Sequence, residues 1–251
     1  AVEKIEAAAT RAMQARVTKP RLGGIRVSNN QNDLEPVYGE SIGYVQLIEI
    51  DTLQQLAEEE NITVELATLP GKFVTPDLPL AYIGSDKTGS DSVDHARIIK
   101  AFLIGKDRTF DDDPRFGLIV LAEIASRALS PGVNDSGTAI RVIGSLVRVI
   151  SLWPDADSAD SDPEFDRVAV PDLSLEDLFD DAFAAIARDG AGTIEVVVRL
   201  FKALEALAKT GDEQMKELAE EHGRLLLQRA EQAITLDNEL ELVREQAKFA
   251  V

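Results

Sequence analysis

The sequence predicts an α+β protein, in which a small β-rich module lies between an N-terminal helix and a larger helical domain. Two observations predict this order. Apolar and polar residues alternate in GYVQLIEI (43–50) and ITVELATL (62–69), as in half-buried strands. From residue 94 onward, apolar residues recur at the three-to-four-residue spacing of helices. A chain of 251 residues is long enough to bury a core in each part.

The N-terminal segment is an alanine-rich helix over residues 2–17, ended by Pro20 and Gly23. We expect a juxtamembrane-like helix and arm over 1–26, a β-rich module over 27–88 and a helical domain over 89–251. The module contains a predicted helix at 51–61. The helical domain is expected to begin with a helix over 94–105 and to carry an acidic surface loop near 154–172.

One segment of the module, LPGKFVTPDLPLAYI (69–83), is similar to half of a biotinyl- or lipoyl-type barrel-sandwich hybrid. Such domains carry a prosthetic group on a lysine in a tight hairpin. Lys72 follows Pro70-Gly71 here, but the methionine or Asp-Lys-Ala context of a carrier lysine is missing. A structural β-domain is therefore the preferred interpretation.

The charge distribution excludes some classes of function. The net charge is −19, yet residues 1–26 carry six basic and two acidic groups, so the remainder carries −23. Nucleic acid is not expected as a partner, because its phosphates would repel so acidic a body. The basic arm suits a cytoplasmic juxtamembrane position, although an ordinary solvated helix explains it equally well. The absence of cysteine excludes disulfides and thiolate metal sites.

The segment IGKDRTFDDDPRFGLIVLAEIASRALSPGVNDSGTAI (104–140) resembles the signature region of a bacterial family, domain of unknown function 2254. The shared pattern is Arg108-Thr109, Asp113, Phe116-Gly117 and the run from Ala128 to Asp135. Members of that family are predicted membrane proteins with membrane helices N-terminal to this region. The resemblance therefore implies a soluble C-terminal portion on the cytoplasmic side of the bacterial inner membrane, with its own transmembrane region as partner.

Two polar patches in this region are candidate sites. Asp111, Asp113 and Asp135 are candidate ligands for Mg²⁺, Mn²⁺ or Ca²⁺, which prefer carboxylate oxygens. Arg108, Arg115, Ser130 and Asn134 are candidate ligand-binding residues. A structural alternative stays open, since aspartate before a helix caps free N–H groups and Ser-Pro-Gly ends a helix.

Two hypotheses of function follow. In the first, the domain assembles or regulates the transmembrane part without catalysis, as a homo-oligomer. In the second, it is a metal- or anion-binding sensor or a metal-dependent enzyme that uses the segment 108–117. A helix over 114–129 would separate the two patches by about 24 Å, so one catalytic centre would need a second chain. His222 is expected to be semi-buried and His95 to lie at a helix start.

Overall fold

The computed structural model describes residues 1–28, 34–85, 93–154 and 162–251, and it confirms the α+β class. The chain divides into two compact units. The sheet unit comprises Gln14–Asp113 and Ala159–Leu173. The helical unit comprises Ala1–Met13, Pro114–Ser158 and Ser174–Val251.

The sheet unit contains the strands of the described chain. In chain order they are β1 (Gly24–Arg26), β2 (Glu35–Tyr38), β3 (Gly43–Ile48), β4 (Ile62–Leu66), β5 (Phe73–Val74), β6 (Pro79–Ser85), β7 (Phe102–Gly105) and β8 (Phe165–Val170). One sheet has the order β1-β8-β4-β6-β2, with β8 parallel to both of its neighbours. The other has the order β5-β3-β7 and is antiparallel.

Two short helices complete the sheet unit. Helix α2 (Ile50–Glu60) ends at Asn61, which takes the left-handed conformation that Asn tolerates better than most residues. Helix α3 (His95–Lys100) begins at Asp94, whose carboxylate accepts a hydrogen bond from the backbone N–H of Ala96. The inward strand positions and the apolar face of α2 form one core, in which Leu53, Val64 and Leu80 are buried.

Three expectations for this region need correction. The predicted helix over 94–105 stops at Lys100, because Phe102 and Ile104 pair with β3 and turn toward the core. The predicted acidic loop contains β8, so the segment 89–251 is not wholly helical. In the described part of the chain neither sheet closes into a barrel, and the barrel-sandwich detail is not confirmed.

The helical unit is built on long amphipathic helices. It takes the first part of α1 (Val2–Thr18), then α4 (Pro114–Ala128) and α5 (Ser136–Ile150). After residue 174 come α6 (Leu175–Phe179), a π-helical turn (Asp180–Ala184), α7 (Ala185–Asp189), α8 (Ile194–Thr210), α9 (Glu213–Ala233), α10 (Asp237–Gln246) and a 3₁₀ turn (Ala247–Ala250). Their apolar faces bury Leu121, Leu146, Phe183 and Phe201.

One contact in this unit accounts for a residue of the signature. Helix α1 crosses α4 at Gly117, where an added Cβ would lie 2.8 Å from the Cα of Ala9. The glycine therefore permits a close helix–helix approach that a larger side chain would prevent. Within the described ranges, we find no helix whose length and apolar character would let it cross a bilayer.

Candidate functional site

The sheet unit holds a buried ion pair made by two of the predicted site residues. Arg108 donates from Nε to Asp113 Oδ2 at 2.7 Å and from Nη2 to Asp113 Oδ1 at 2.9 Å. The Asp113 side chain is only 2% exposed. Two parallel, charge-assisted hydrogen bonds fix both groups in orientation as well as in position. The structure thus pairs Asp113, a predicted metal ligand, with Arg108, a predicted binding residue for an anionic group, five residues earlier in the sequence.

Gly71 packs directly on this ion pair. Its φ is +91°, and a Cβ added there would lie 2.5 Å from Asp113 Cγ and 2.7 Å from Oδ1. The backbone turn is tied to β3, because the N–H of Gly71 donates to the carbonyl of Val45 at 2.8 Å. The Pro-Gly of the β-module and the acidic residue of the signature are therefore parts of one packed arrangement.

A second arginine lies beside the same aspartates. Arg16, near the end of α1, is 6% exposed and donates from Nη2 to the Asp112 carbonyl at 3.2 Å. Its buried Nε has no hydrogen-bond partner among the described residues. Burial lowers the pKa of Arg16, opposed by the charges of Asp112 and Asp113. Burial also raises the pKa of the Asp112 carboxyl, opposed by Arg16.

These five residues (Arg16, Gly71, Arg108, Asp112 and Asp113) are called the signature cluster below. It brings together two carboxylates and two guanidinium groups in a largely dry environment. Asp111, in contrast, is exposed. In the ranges that the structure describes, no group of three or more His, Cys, Asp or Glu side chains is arranged to hold a metal ion. The divalent-cation assignment stays a prediction.

The helical unit contains a separate set of ion pairs around Arg115. This arginine, in the first turn of α4, donates from Nε to Asp181 Oδ2 at 2.6 Å, and it also bonds Asp177. Asp181 belongs to the π-helical turn, whose extra residue per turn changes the direction of the following side chains. The guanidinium of Arg115 joins α4 to the α6 region. The assignment of Arg115 as a ligand-binding residue stays a prediction.

An open groove of about 710 Å³ runs between α4 and the π-helical turn. Ala122 and Ala184 line its wall, while Glu123, Arg127 and Asp180 add charges of both signs. Beneath the turn lies His222, 3.5 Å from the Asp180 carboxylate and in ring contact with Phe179 and Phe183. Burial lowers the pKa of His222, opposed by the charge of Asp180. The semi-buried position expected for this histidine is confirmed.

Ser130, Asn134 and Asp135 form a tight connection between α4 and α5. Ser130 donates from its hydroxyl to the Arg127 carbonyl at 2.7 Å, and Asn134 takes a left-handed φ of +51°. The Asp135 carboxylate caps α5, accepting from the Thr138 N–H at 3.0 Å and from its hydroxyl at 2.6 Å. These hydrogen bonds with Thr138 lower the pKa of Asp135. Each of the three residues thus has a role in ending one helix or starting the next.

Sequence reasoning missed Arg16, Gly71 and Asp181 as neighbours of the predicted residues. Arg16 was counted only as part of a basic arm, and nothing in its local pattern marks it as buried. The contact of Gly71 with Asp113 spans 42 positions of sequence, which no local pattern can indicate. A buried aspartate needs a nearby cation. This requirement was the one available indication that an arginine lies beside Asp113.

The comparisons with known proteins agree with the resemblance of the signature. The family described as "Predicted membrane protein (DUF2254)" matches residues 1–206. The chain belongs to this family. An uncharacterised protein of Mycobacterium tuberculosis (strain H37Rv) is 31% identical over 210 residues, as is one of Mycobacterium bovis. Each alignment covers 80% of this chain and 40% of the relative, so the chain spans less than half of these proteins. No solved structure matches the chain.

The region that matches the DUF2254 family contains the signature cluster. The matched region includes Arg16, Gly71, Arg108 and Asp113, together with the whole of α4 and α5. The cluster and the α4–α5 connection therefore lie within the part of the chain that matches the family.

Proposed function

We propose that this chain is an extramembrane domain of a membrane protein, and that it assembles or regulates the transmembrane part without catalysing a reaction. The observation that carries the proposal is the match of residues 1–206 to a family of predicted membrane proteins. The relatives are long enough to contain further regions, because the alignment covers 40% of their length. Membrane spans would lie in those regions.

The charge at the start of the chain supports a cytoplasmic position at the bacterial inner membrane. Lys4 and Arg11 are exposed on α1, and positive residues flank membrane spans preferentially on the cytoplasmic side. Arg16, which belongs to the same basic segment, is buried in the signature cluster and does not contribute to this argument.

The proposal includes self-association of the domain through its helical unit. Leu225 on α9 and Leu242 on α10 are each 44% exposed, whereas their sequence neighbours Leu226 and Val243 are buried. Paired apolar helix faces are a common basis of homo-oligomers. Sedimentation equilibrium tests self-association on the wild-type chain and on a double variant, Leu225→Ser with Leu242→Ser. An oligomer that the double substitution dissociates supports self-association. A monomeric wild type contradicts it.

The main experiment uses the full-length protein that contains this chain. Cell fractionation should place that protein in the membrane fraction, and native electrophoresis after mild detergent extraction should give one defined assembly. Removal of residues 1–251 should leave the remaining protein in the membrane but disperse the assembly. Recovery of the intact protein in the soluble fraction would refute membrane attachment, and an unchanged assembly would refute the role in assembly or regulation.

A second candidate function is a ligand sensor or metal-dependent enzyme centred on the signature cluster. The observation that favours it is the buried Arg16 side chain, whose Nε has no hydrogen-bond partner among the described residues. A buried cation with an unused donor is costly and favours an anionic ligand such as phosphate or a carboxylate. If the second candidate function depends on a metal, we propose that Mg²⁺, Mn²⁺ or Ca²⁺ binds through Asp111 and Asp113.

Thermal unfolding tests this candidate. At about 100 times its dissociation constant, a ligand should stabilise the chain by roughly 2.7 kcal/mol. Phosphate, Mg²⁺, Mn²⁺ and Ca²⁺ are compared on the wild type, on Asp113→Asn and on Asp107→Asn, an exposed control in the same segment. A shift that Asp113→Asn removes supports a binding site. Retention of the shift in that variant, or its absence in the wild type, leaves the cluster as a structural element.

A further inference from the structure

The three-stranded sheet of the sheet unit exposes an apolar outer face. Tyr44 on β3 contacts Phe73 on β5 through their rings, with centroids 5.1 Å apart, and Leu47 on β3 lies opposite Leu103 on β7. Phe73 is 50% exposed and Leu103 55% exposed. Ile42, two residues before Tyr44, is 66% exposed and extends the row. These five side chains are called the outer face below.

A β-bulge creates part of this exposure. The register between β3 and β7 shifts between Val45 and Leu47, so Gln46 is an extra residue in β3. Strict alternation would turn Leu47 inward; the bulge turns it outward and places Ile48 in the core. The Gln46 amide covers Gly105 and donates to the Asp107 carbonyl at 2.7 Å. The strand is thus built to present one more apolar side chain to the outside.

An exposed sheet face normally carries polar residues. With ~200 Å² for a large side chain, the exposed fractions correspond to about 400 Å² of apolar surface. Patches of this size on soluble proteins are often functional. Two such faces packed together would bury roughly 800 Å², less than the ~1,200 Å² of a typical stable interface. The area alone is too small for a stable dimer.

The charges around the outer face are compatible with lipid headgroups. No residue of the outer face is charged, although the whole chain carries −19. Lys72 precedes Phe73, and Lys100 and Lys106 flank β7; all three lysines are exposed. Glu40, Glu49 and Asp107 are the carboxylates nearest to these residues in sequence, so the local charges balance. A zwitterionic bilayer does not repel so acidic a chain.

We infer that the outer face binds the surface of a lipid bilayer, with Phe73 and Leu103 inserted between headgroups. Aromatic and aliphatic side chains bordered by lysines are suited to this interfacial region. The inference rests on the proposed function in one respect: attachment to a membrane protein keeps the chain near a bilayer, so a small contact area is sufficient.

Co-sedimentation with vesicles tests the inference. The purified chain is mixed with vesicles of pure phosphatidylcholine, and with an equimolar mixture of phosphatidylcholine and phosphatidylglycerol. Phe73→Ser with Leu103→Ser removes two inserted side chains, and Val133→Ser with Leu236→Ser removes two exposed side chains of the helical unit as a control. We expect the wild type and the control to bind phosphatidylcholine, and the outer-face variant to lose at least ~10-fold in partitioning.

A fluorescent variant makes the test independent of folding defects. Phe73→Trp in a Trp153→Phe background places the single tryptophan on the outer face, and vesicles should shift its emission to shorter wavelength. Absence of wild-type binding to both vesicle types, an equal loss in the control, or an unshifted emission would each overturn the inference. So would an outer-face variant that alters only the oligomeric state, because the face would then contact a second copy.

Failure of this inference is distinguishable from failure of the proposed function. If vesicles do not bind the chain while the full-length protein stays in the membrane fraction, only the bilayer contact is wrong. If the full-length protein is soluble while the chain still binds vesicles, membrane attachment is wrong and the outer face remains a lipid-binding surface.

Discussion

Substitution of Gly71 by alanine tests whether the signature cluster is as tightly packed as the structure indicates. Gly71 has a φ of +91°, and a left-handed conformation costs alanine roughly 1–2 kcal/mol. The new methyl group would also lie 2.5 Å from Asp113 Cγ, so the carboxylate must move away from Arg108. Breaking a buried ion pair costs about 3–5 kcal/mol when one partner is left uncompensated. With partial relaxation, we expect Gly71→Ala to lower the free energy of unfolding by about 3 kcal/mol.

Urea unfolding followed by circular dichroism measures this loss. The matched control is Gly132→Ala, because a Cβ at Gly132 meets no atom within 4 Å. That substitution should change the free energy of unfolding by less than about 1 kcal/mol. Equal stability of the two variants would refute the close contact between Gly71 and the aspartate.

A double-mutant cycle separates the two causes of the loss. In an Asp113→Ala background the carboxylate is absent, so Gly71→Ala should cost only the backbone strain, about 1 kcal/mol. If the cost of Gly71→Ala is the same in both backgrounds, the ion pair plays no part in it.

Three further predictions concern the helical unit. Arg115→Met should lower the free energy of unfolding by about 2 kcal/mol, because Asp177 and Asp181 lose the guanidinium that they bond. The control Arg127→Met, on the same helix, should change it by less than about 0.5 kcal/mol. Urea unfolding midpoints of the two variants measure the difference. His222 should make stability depend on pH, because burial lowers its pKa in the folded state. The unfolded chain therefore binds the proton at a higher pH than the folded chain does. Stability should fall as the pH drops below about 6.5, the ordinary pKa of histidine. A His222→Gln variant measured between about pH 5 and 8 should lose that part of the slope. Asn134→Ala should cost about 1 kcal/mol and Asn134→Gly almost nothing in thermal melting, since the position has a left-handed φ of +51°.

The sequence predicted most elements whose stability depends on local pattern. The strands near 43–50 and 62–69 and the helix α2 lie close to where the pattern of apolar residues placed them. Strands β7 and β8 were missed for a shared reason. Their local sequences are short apolar runs beside a helix or within an acidic stretch, and only pairing with distant strands makes them strands.

The site could be predicted in identity but not in arrangement. Asp113 was selected as a carboxylate ligand for a divalent cation, and Arg108 as a binding residue for an anionic group. That they bond each other depends on the fold of 108–113 over Gly71, which no local rule describes. The burial of Arg16 is similarly a consequence of where α1 ends, which its own sequence does not specify.

Strand β8 has a consequence for how the protein is made. It lies between β1 and β4, although about 100 residues separate β4 from β8 in the chain. During synthesis, the earlier strands therefore leave the ribosome before the strand that joins β1 to β4 exists. Closing so long a segment slows folding and exposes unpaired strand edges meanwhile. A fragment that stops at Asp113 would keep those edges permanently open, so truncations meant to isolate the sheet must carry residues 159–173 as well.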